Sequence, residues 1–190
     1  LRLQIKKSGV DVRLNTPATP ELILGLHPDA LIIAVGSHYA DPPIPGIECA
    51  LHADMALLND LDAKKIVVIG GGLVGSETAL NLSEQGKQVT IIEMLSEIVP
   101  DHEPGAKAAL QYRLDKNHVD IRTGEKVKQV TNDGVVCEDG QKTACDLVVN
   151  ATGLSANCRE VSMLSGIVPN TYVIGDCVAA RKVYNATHEA

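Results

Sequence analysis

The run Gly70-Gly71-Gly72-Leu73-Val74-Gly75 spaces three glycines as G-x-G-x-x-G. Each glycine has a physical use if the run approaches a pyrophosphate. Gly70 makes the tight turn out of a strand, Gly72 keeps a Cβ out of the phosphates' path, and Gly75 lets the following helix pack close to the strand. The free N–H groups of that helix's first turn, with their partial positive charge, then face the anion. The spacing alone is a weak signal, but its neighbours are also in register. The apolar run Ile66–Ile69 precedes it, a helical segment follows, and Glu93 closes the next apolar run, 23 positions after Gly70. A carboxylate there can accept both ribose hydroxyls of an adenosine and repels a 2′-phosphate, and Met94 and Leu95 beside it offer no arginine to bind one. Glu77 stands one turn inside the helix, where it either faces the nicotinamide end of a dinucleotide or solvates a helix face.

These residues need elements to hold them. KKIVVIG from Lys64 predicts a buried strand, the segment after it a helix closed by Gly86, and KQVTIIE a second buried strand. Strand, glycine turn, helix and strand in succession make a βαβ unit. A further helix is expected over 104–117, with Pro104 in its first turn. VDIRTG, KVKQVTND, GVVCEDG and ACDLVVNATG then predict short strands, with turns at Asn132-Asp133-Gly134 and Asp139-Gly140. Upstream, the alternation in residues 9–15 predicts a strand, Pro20 to Leu26 a short helix, and Ala30 to Val35 a strand ended by Gly36. Pro42, Pro43, Pro45 and Gly46 predict an extended linker, because proline removes donors and fixes φ. The alternation of helices and strands gives an α/β fold, a parallel sheet covered by helices.

Two strand ends repeat a pattern, Ala34-Val35-Gly36 and Ala151-Thr152-Gly153, on either side of the βαβ unit. Gly175-Asp176 closes the last apolar strand, TYVI. Each is a common turn in isolation. At the carboxyl edge of a sheet, however, such turns border the place where open α/β folds bind ligands.

Composition narrows the function. Among 190 residues there is no Phe or Trp and only four Tyr, so the core is built from Ile, Val, Leu and Ala, as suits strands buried on both faces. With so few aromatic side chains there is no platform for stacking bases, and a net charge of −7 with no basic cluster gains nothing from counterion release, so nucleic acid is excluded as a partner. No apolar run is long enough to cross a bilayer, and the first residues lack the apolar core of a signal peptide. The five cysteines contain no C-x-x-C pair, which predicts reduced thiols, buried as small hydrophobes, in a cytoplasmic protein. No Ser-His-Asp order, paired-carboxylate motif or H-E-x-x-H metal motif is present. No side chain is therefore assigned as a catalyst and no metal site is expected.

In order, A-x-G, P-x-P-G, G-G-G-x-x-G-x-E, N-A-T-G and V-I-G-D resemble two-dinucleotide-binding flavoprotein reductases, over nearly the whole chain. The wording GGGLVGSETALNLSEQGKQVTIIEM and IGDCVAARKVYNATHEA is most similar to one branch, the carboxyl-terminal part of NADH:flavin oxidoreductases related to old yellow enzyme, such as 2,4-dienoyl-CoA reductase, trimethylamine dehydrogenase and enoate reductases. The resemblance implies a three-layer Rossmann-like NAD-binding domain, residues 59–147, inserted into the second part of an FAD-binding domain, residues 1–58 and 148–190. It implies that Gly70, Gly72, Gly75 and Glu93 hold NADH, that Gly153 lies beside the nicotinamide half, and that Ala34, Gly36, Gly175 and Asp176 belong to an FAD site. It also implies that the helix near Ala186–His188 faces the flavin. The family's own FAD fingerprint, its FMN-bearing barrel and the cysteines of its 4Fe-4S cluster have no counterpart here. Together with Leu1 in place of Met, this predicts a part of a larger polypeptide whose upstream catalytic domain is its partner. The absence of C-x-x-C before Lys64 argues against thioredoxin reductase. The competing reading is a non-catalytic module that senses NADH or an adenylate.

Glu93 carries the first prediction. Calorimetric titration should show NADH binding more tightly than NADPH, and equal or tighter NADPH binding would refute the assignment.

Overall fold

The computed structural model describes residues 2–189. They form two compact units, one made of residues 2–37 and 156–189 and the other of residues 38–155. The resemblance implies divisions at 58/59 and 147/148 instead. Residues 38–58 pack with the second unit for reasons of hydrogen bonding: the Pro45 carbonyl accepts from Val130 N–H, and Leu51 pairs with Val149. The proline-rich stretch is thus part of that unit's wall.

The larger unit is organised by a five-stranded parallel sheet. In spatial order its strands are β3 (Leu51–His52), β10 (Leu147–Asn150), β4 (Lys65–Ile69), β5 (Gln88–Glu93) and β6 (Asp120–Thr123). Both faces are buried. Ile66, Val68, Ile91 and Val149 face α3 (Ala53–Leu58), α4 (Leu73–Glu84) and α5 (Pro104–Lys116) through Ala53, Ala56, Ala79, Leu80, Leu82, Leu110 and Leu114. Val67, Ile69, Ile92 and Val148 meet Val127, Val130, Val135 and Cys137. That second cover is a three-stranded antiparallel sheet, β7 (Val127–Thr131), β8 (Gly134–Cys137) and β9 (Lys142–Ala144). The fold is a three-layer Rossmann-like α/β arrangement, with strands where helices were expected on one face.

Gly86 ends α4 as expected, in the left-handed region at φ 84°, just past the cap residue Gln85, with its N–H on Ser83 O and Lys87 N–H on Leu82 O. ACDLVVNATG, expected as one strand, is cut between β9 and β10. The cut is made by Asp146, whose Oδ2 accepts from the N–H groups of Lys64 and Lys65 at 2.9 and 2.8 Å and so pins the entry to β4.

In the smaller unit β1 (Leu31–Ile33) pairs in parallel with β12 (Thr171–Val173), over a core of Ile23, Ile33, Leu164 and Val168. The strand expected over 9–15 is absent. That segment is exposed throughout and no other strand lies beside it, so its backbone groups have no ladder to join. The cysteines also divide differently from expectation: Cys137 and Cys177 are buried, whereas Cys49 and Cys158 are exposed on their own short helical turns.

Asp146 makes the fold depend on pH. The two backbone hydrogen bonds hold its carboxyl below the ordinary range. A lowered folded-state value means the stabilisation is complete above the unfolded value of about 3.9 and disappears as pH falls through the folded one. Asp146→Asn should therefore lower the urea midpoint at pH 7, and the gap to the parent chain should narrow progressively as the pH falls below the unfolded value of about 3.9.

Candidate dinucleotide-binding site

The glycine turn leaves β4 at its carboxyl end. Gly70 has φ 105°, and a Cβ there would lie 2.5 Å from Ala151 O. A Cβ on Gly75 would lie 2.0 Å from Gly70 O, so the helix can sit this close only without one. At Gly72 the same test meets nothing within 4 Å. Gly72 caps α4 without a side-chain hydrogen bond, and Gly72, Leu73 and Val74 are exposed. The start of α4 thus presents its first-turn amides beside a space with no side chain in it, which is what an anion needs. Glu77 is exposed on the next turn.

Glu93 is almost fully buried, at 8% exposure. Its Oε2 accepts from Gly71 N–H at 2.6 Å and its Oε1 from Leu95 N–H at 2.7 Å. The carboxylate therefore shapes the turn as well as facing the sheet edge, and each oxygen keeps a second lone pair for a ribose hydroxyl. The Gly71 carbonyl is also held, by Val99 N–H at 2.8 Å and Ser76 Oγ at 3.1 Å. A Cβ on Gly71 would meet Ile98 at 2.8 Å and Glu93 at 3.0 Å. In an otherwise exposed loop Ile98 and Val99 are buried, and Val99 sits at φ 42°, a region costly for a β-branched residue. None of this loop's part in the turn is visible in the motif, which treats position 71 as free.

On the other side of the turn lies Asn150, buried at 2% exposure at the end of β10. Its Nδ2 donates to Ala40 O and Asp41 Oδ1, and its Oδ1 accepts from Thr152 N–H and Thr152 Oγ. Gly153 follows at φ 113°, exposed, with open space around it. Asp41 Oδ1 is 3.7 Å from His52 Nε2, and the His52 ring stacks on Tyr39 with centroids 4.7 Å apart. Burial, and a hydrogen bond to Asp54, raise the Tyr39 hydroxyl above its ordinary value. Sequence reading missed Asn150, Asp41, Tyr39 and His52. The one available signal was a polar residue ending the apolar run LVVN.

In the smaller unit, Gly36 (φ 72°) and Gly175 (φ 73°) both have open space around them, and Ala34 is exposed beyond β1. Asp176 Oδ2 is 3.5 Å from Ser37 Oγ and its Oδ1 3.4 Å from Arg181 N. Gly175 N–H donates to Glu189 Oε2 at 2.8 Å, and Arg181 pairs with the same carboxylate. The Gly175 amide and the Arg181 guanidinium thus both donate to one carboxylate, that of Glu189. His188 binds Tyr184 O within its own helix, Val183–Glu189, and its ring packs on Tyr184.

Residues 24–190 match the family described as pyridine nucleotide-disulphide oxidoreductase. The chain belongs to this family. Similar proteins include the bilirubin reductase of Mediterraneibacter gnavus, 37% identical over 92% of this chain and 28% of that protein, and the NADH oxidase of Thermoanaerobacter brockii, 36% identical over 98% of this chain and 30% of that protein. Among solved structures, a 2-naphthoyl-CoA reductase superposes with a TM-score of 0.86 at 31% identity, over 99% of this chain and 30% of that one. The chain therefore spans less than a third of the length of these family members. Among the described residues no helix is long and apolar enough to cross a membrane, and no cluster of side chains could hold a metal.

The second and third glycines of the motif, Gly72 and Gly75, should separate in experiment. Gly75→Ala forces backbone apart and should cost about 2–3 kcal/mol of unfolding free energy. Gly72→Val alters only a helix cap, at about 1 kcal/mol or less, yet should abolish dinucleotide binding. Chemical denaturation together with NADH titration checks both.

Proposed function

We propose that this chain is the NADH-binding portion, with part of an FAD site, of a flavin-dependent NADH oxidoreductase. The observation that carries the reading is the open space at Gly72 in front of the α4 amides, on the same sheet edge as the buried Glu93. A pyrophosphate fits there because the turn supplies amide donors and no Cβ. Glu93 would accept the adenosine ribose hydroxyls with its remaining lone pairs, and Gly71 and Leu95 would keep the carboxylate in place. Residues 59–147 would form the core of the NADH domain. The segments 1–58 and 148–190 would form the second part of the FAD domain, with Ala34, Gly36, Gly175 and Asp176 at its flavin site. Bound together, NADH and FAD supply hydride and electron transfer; the protein's part is to place them and exclude water.

The old-yellow-enzyme-related branch is the parent protein we favour. Support comes from relatives named NADH oxidase, bilirubin reductase and cinnamate reductase, each more than three times the length matched here. In that reading the partner is the catalytic domain of the same polypeptide, carrying FMN and a 4Fe-4S cluster, in the cytoplasm. Electrons leave this part for that domain, and no side chain here acts as an acid or base.

The test is a spectrum and a titration. The 190-residue chain holds a single glycine-rich pyrophosphate turn, which serves NADH, so it should purify colourless and still bind NADH. The full-length protein should be yellow and oxidise NADH. A chain that fails to bind NADH at millimolar concentration sinks the proposal. A full-length protein that binds NADH yet holds no flavin points instead to the sensing module.

A further inference from the structure

We propose that Asn150 is a positioning residue for the nicotinamide half of a bound dinucleotide, a role that rests on the NADH reading above. The sheet itself sets the direction. At the carboxyl edge, His52 of β3 is in register with Asn150 of β10, Asn150 with Ile69 of β4, and Ile69 with Ile92 of β5. The glycine turn leaves Ile69, and Glu93 follows Ile92. A dinucleotide with its pyrophosphate on the turn and its adenosine ribose on Glu93 has used the β4 and β5 positions. Its other half must extend the opposite way, over β10 and β3, at about 5 Å per strand.

The backbone waiting there is Ala151-Thr152-Gly153, and Asn150 determines its path. Both amide hydrogens and the carbonyl oxygen of Asn150 are in use. They tie Thr152 on one side to Ala40 and Asp41 on the other, at 2.8–3.2 Å. The tie lies beyond the pyrophosphate turn, whose own neighbour here is the main-chain carbonyl of Ala151, 2.5 Å from where a Cβ on Gly70 would sit. The tie reaches outward, since Asp41 faces His52, whose buried Nδ1 has no partner, as has the buried Oδ1 of Asp54. A fully bonded amide in a buried position holds one geometry, and a substitution leaves several groups unpaired at once. Glu93 sits two strands away from this network and is untouched by it.

The experiment compares two probes by calorimetry on the 190-residue chain. ADP occupies the adenosine and pyrophosphate positions only, whereas NADH adds the nicotinamide half. Asn150→Asp replaces both amide donors with acceptors and sets a carboxylate against Asp41. It should weaken NADH about tenfold, the scale of one lost hydrogen bond, and leave ADP within about twofold. Adding Asp41→Asn supplies a new amide opposite the new carboxylate and should restore most of the NADH affinity. Asp41→Ala, at a position whose side chain is 60% exposed, should fold normally and weaken NADH about threefold with no effect on ADP; it decides the matter if Asn150→Asp does not fold. Equal loss of ADP and NADH in the variants, or no loss of either, would overturn the role. If the parent chain binds neither probe, the NADH reading has failed and this inference fails with it.

Discussion

The backbone of Gly71 is gripped at both ends, and the site depends on that grip. Its N–H is taken by the buried carboxylate of Glu93 and its carbonyl by Val99 N–H and Ser76 Oγ. Three separate parts of the chain therefore meet on one residue: the end of β5, the loop after it, and the first turn of α4. With Gly71 fixed, the chain enters α4 at a single angle. Gly75 then touches Gly70 O, and Gly72 is left facing outward with nothing over it. Val99 adopts a left-handed backbone to make its part of this contact, a conformation that costs of order 1–3 kcal/mol and persists only where packing demands it.

The sheet behind the turn explains why such local precision holds. Alternate residues of β4, β5 and β10 feed two different cores, one against helices and one against the antiparallel sheet. A one-residue slip of any central strand would exchange the two sets of side chains and misfit both covers. The carboxyl ends of the strands are thereby held level, and the glycine turn, Glu93 and Asn150 come to one edge from residues 23 to 80 positions apart in the chain. The smaller unit has less to hold it: two paired strands, a handful of buried aliphatic residues, and many large apolar side chains exposed, among them Ile32, Tyr172, Val183 and Tyr184.

Much of this was legible in the residues because it is local. The glycine spacing, the buried strands on either side of it, the helix stop at Gly86 and the acidic residue closing β5 are all consequences of backbone sterics and periodicity within about 30 residues. So were helix α5, with Pro104 in its first turn, and the absence of any long apolar span. Composition alone, aliphatic and nearly free of aromatics, pointed to strands buried on both faces.

The tertiary structure decided whatever required a partner distant in sequence. An alternating stretch at 9–15 reads as a strand, but a strand exists only where another lies beside it, and none does. The proline-rich segment reads as a linker, yet Val130 and the β3–β10 pairing draw it into the wall of the larger unit. Gly71 is a free position in the motif; the side chains of Ile98 and Glu93 make it obligatory. Asn150 ends an apolar run and reads as a strand terminus, but Ala40 and Asp41, some 110 residues earlier, make it a fully bonded hub. In each case the residue type set what could be bonded, and the fold determined what was there to bond with.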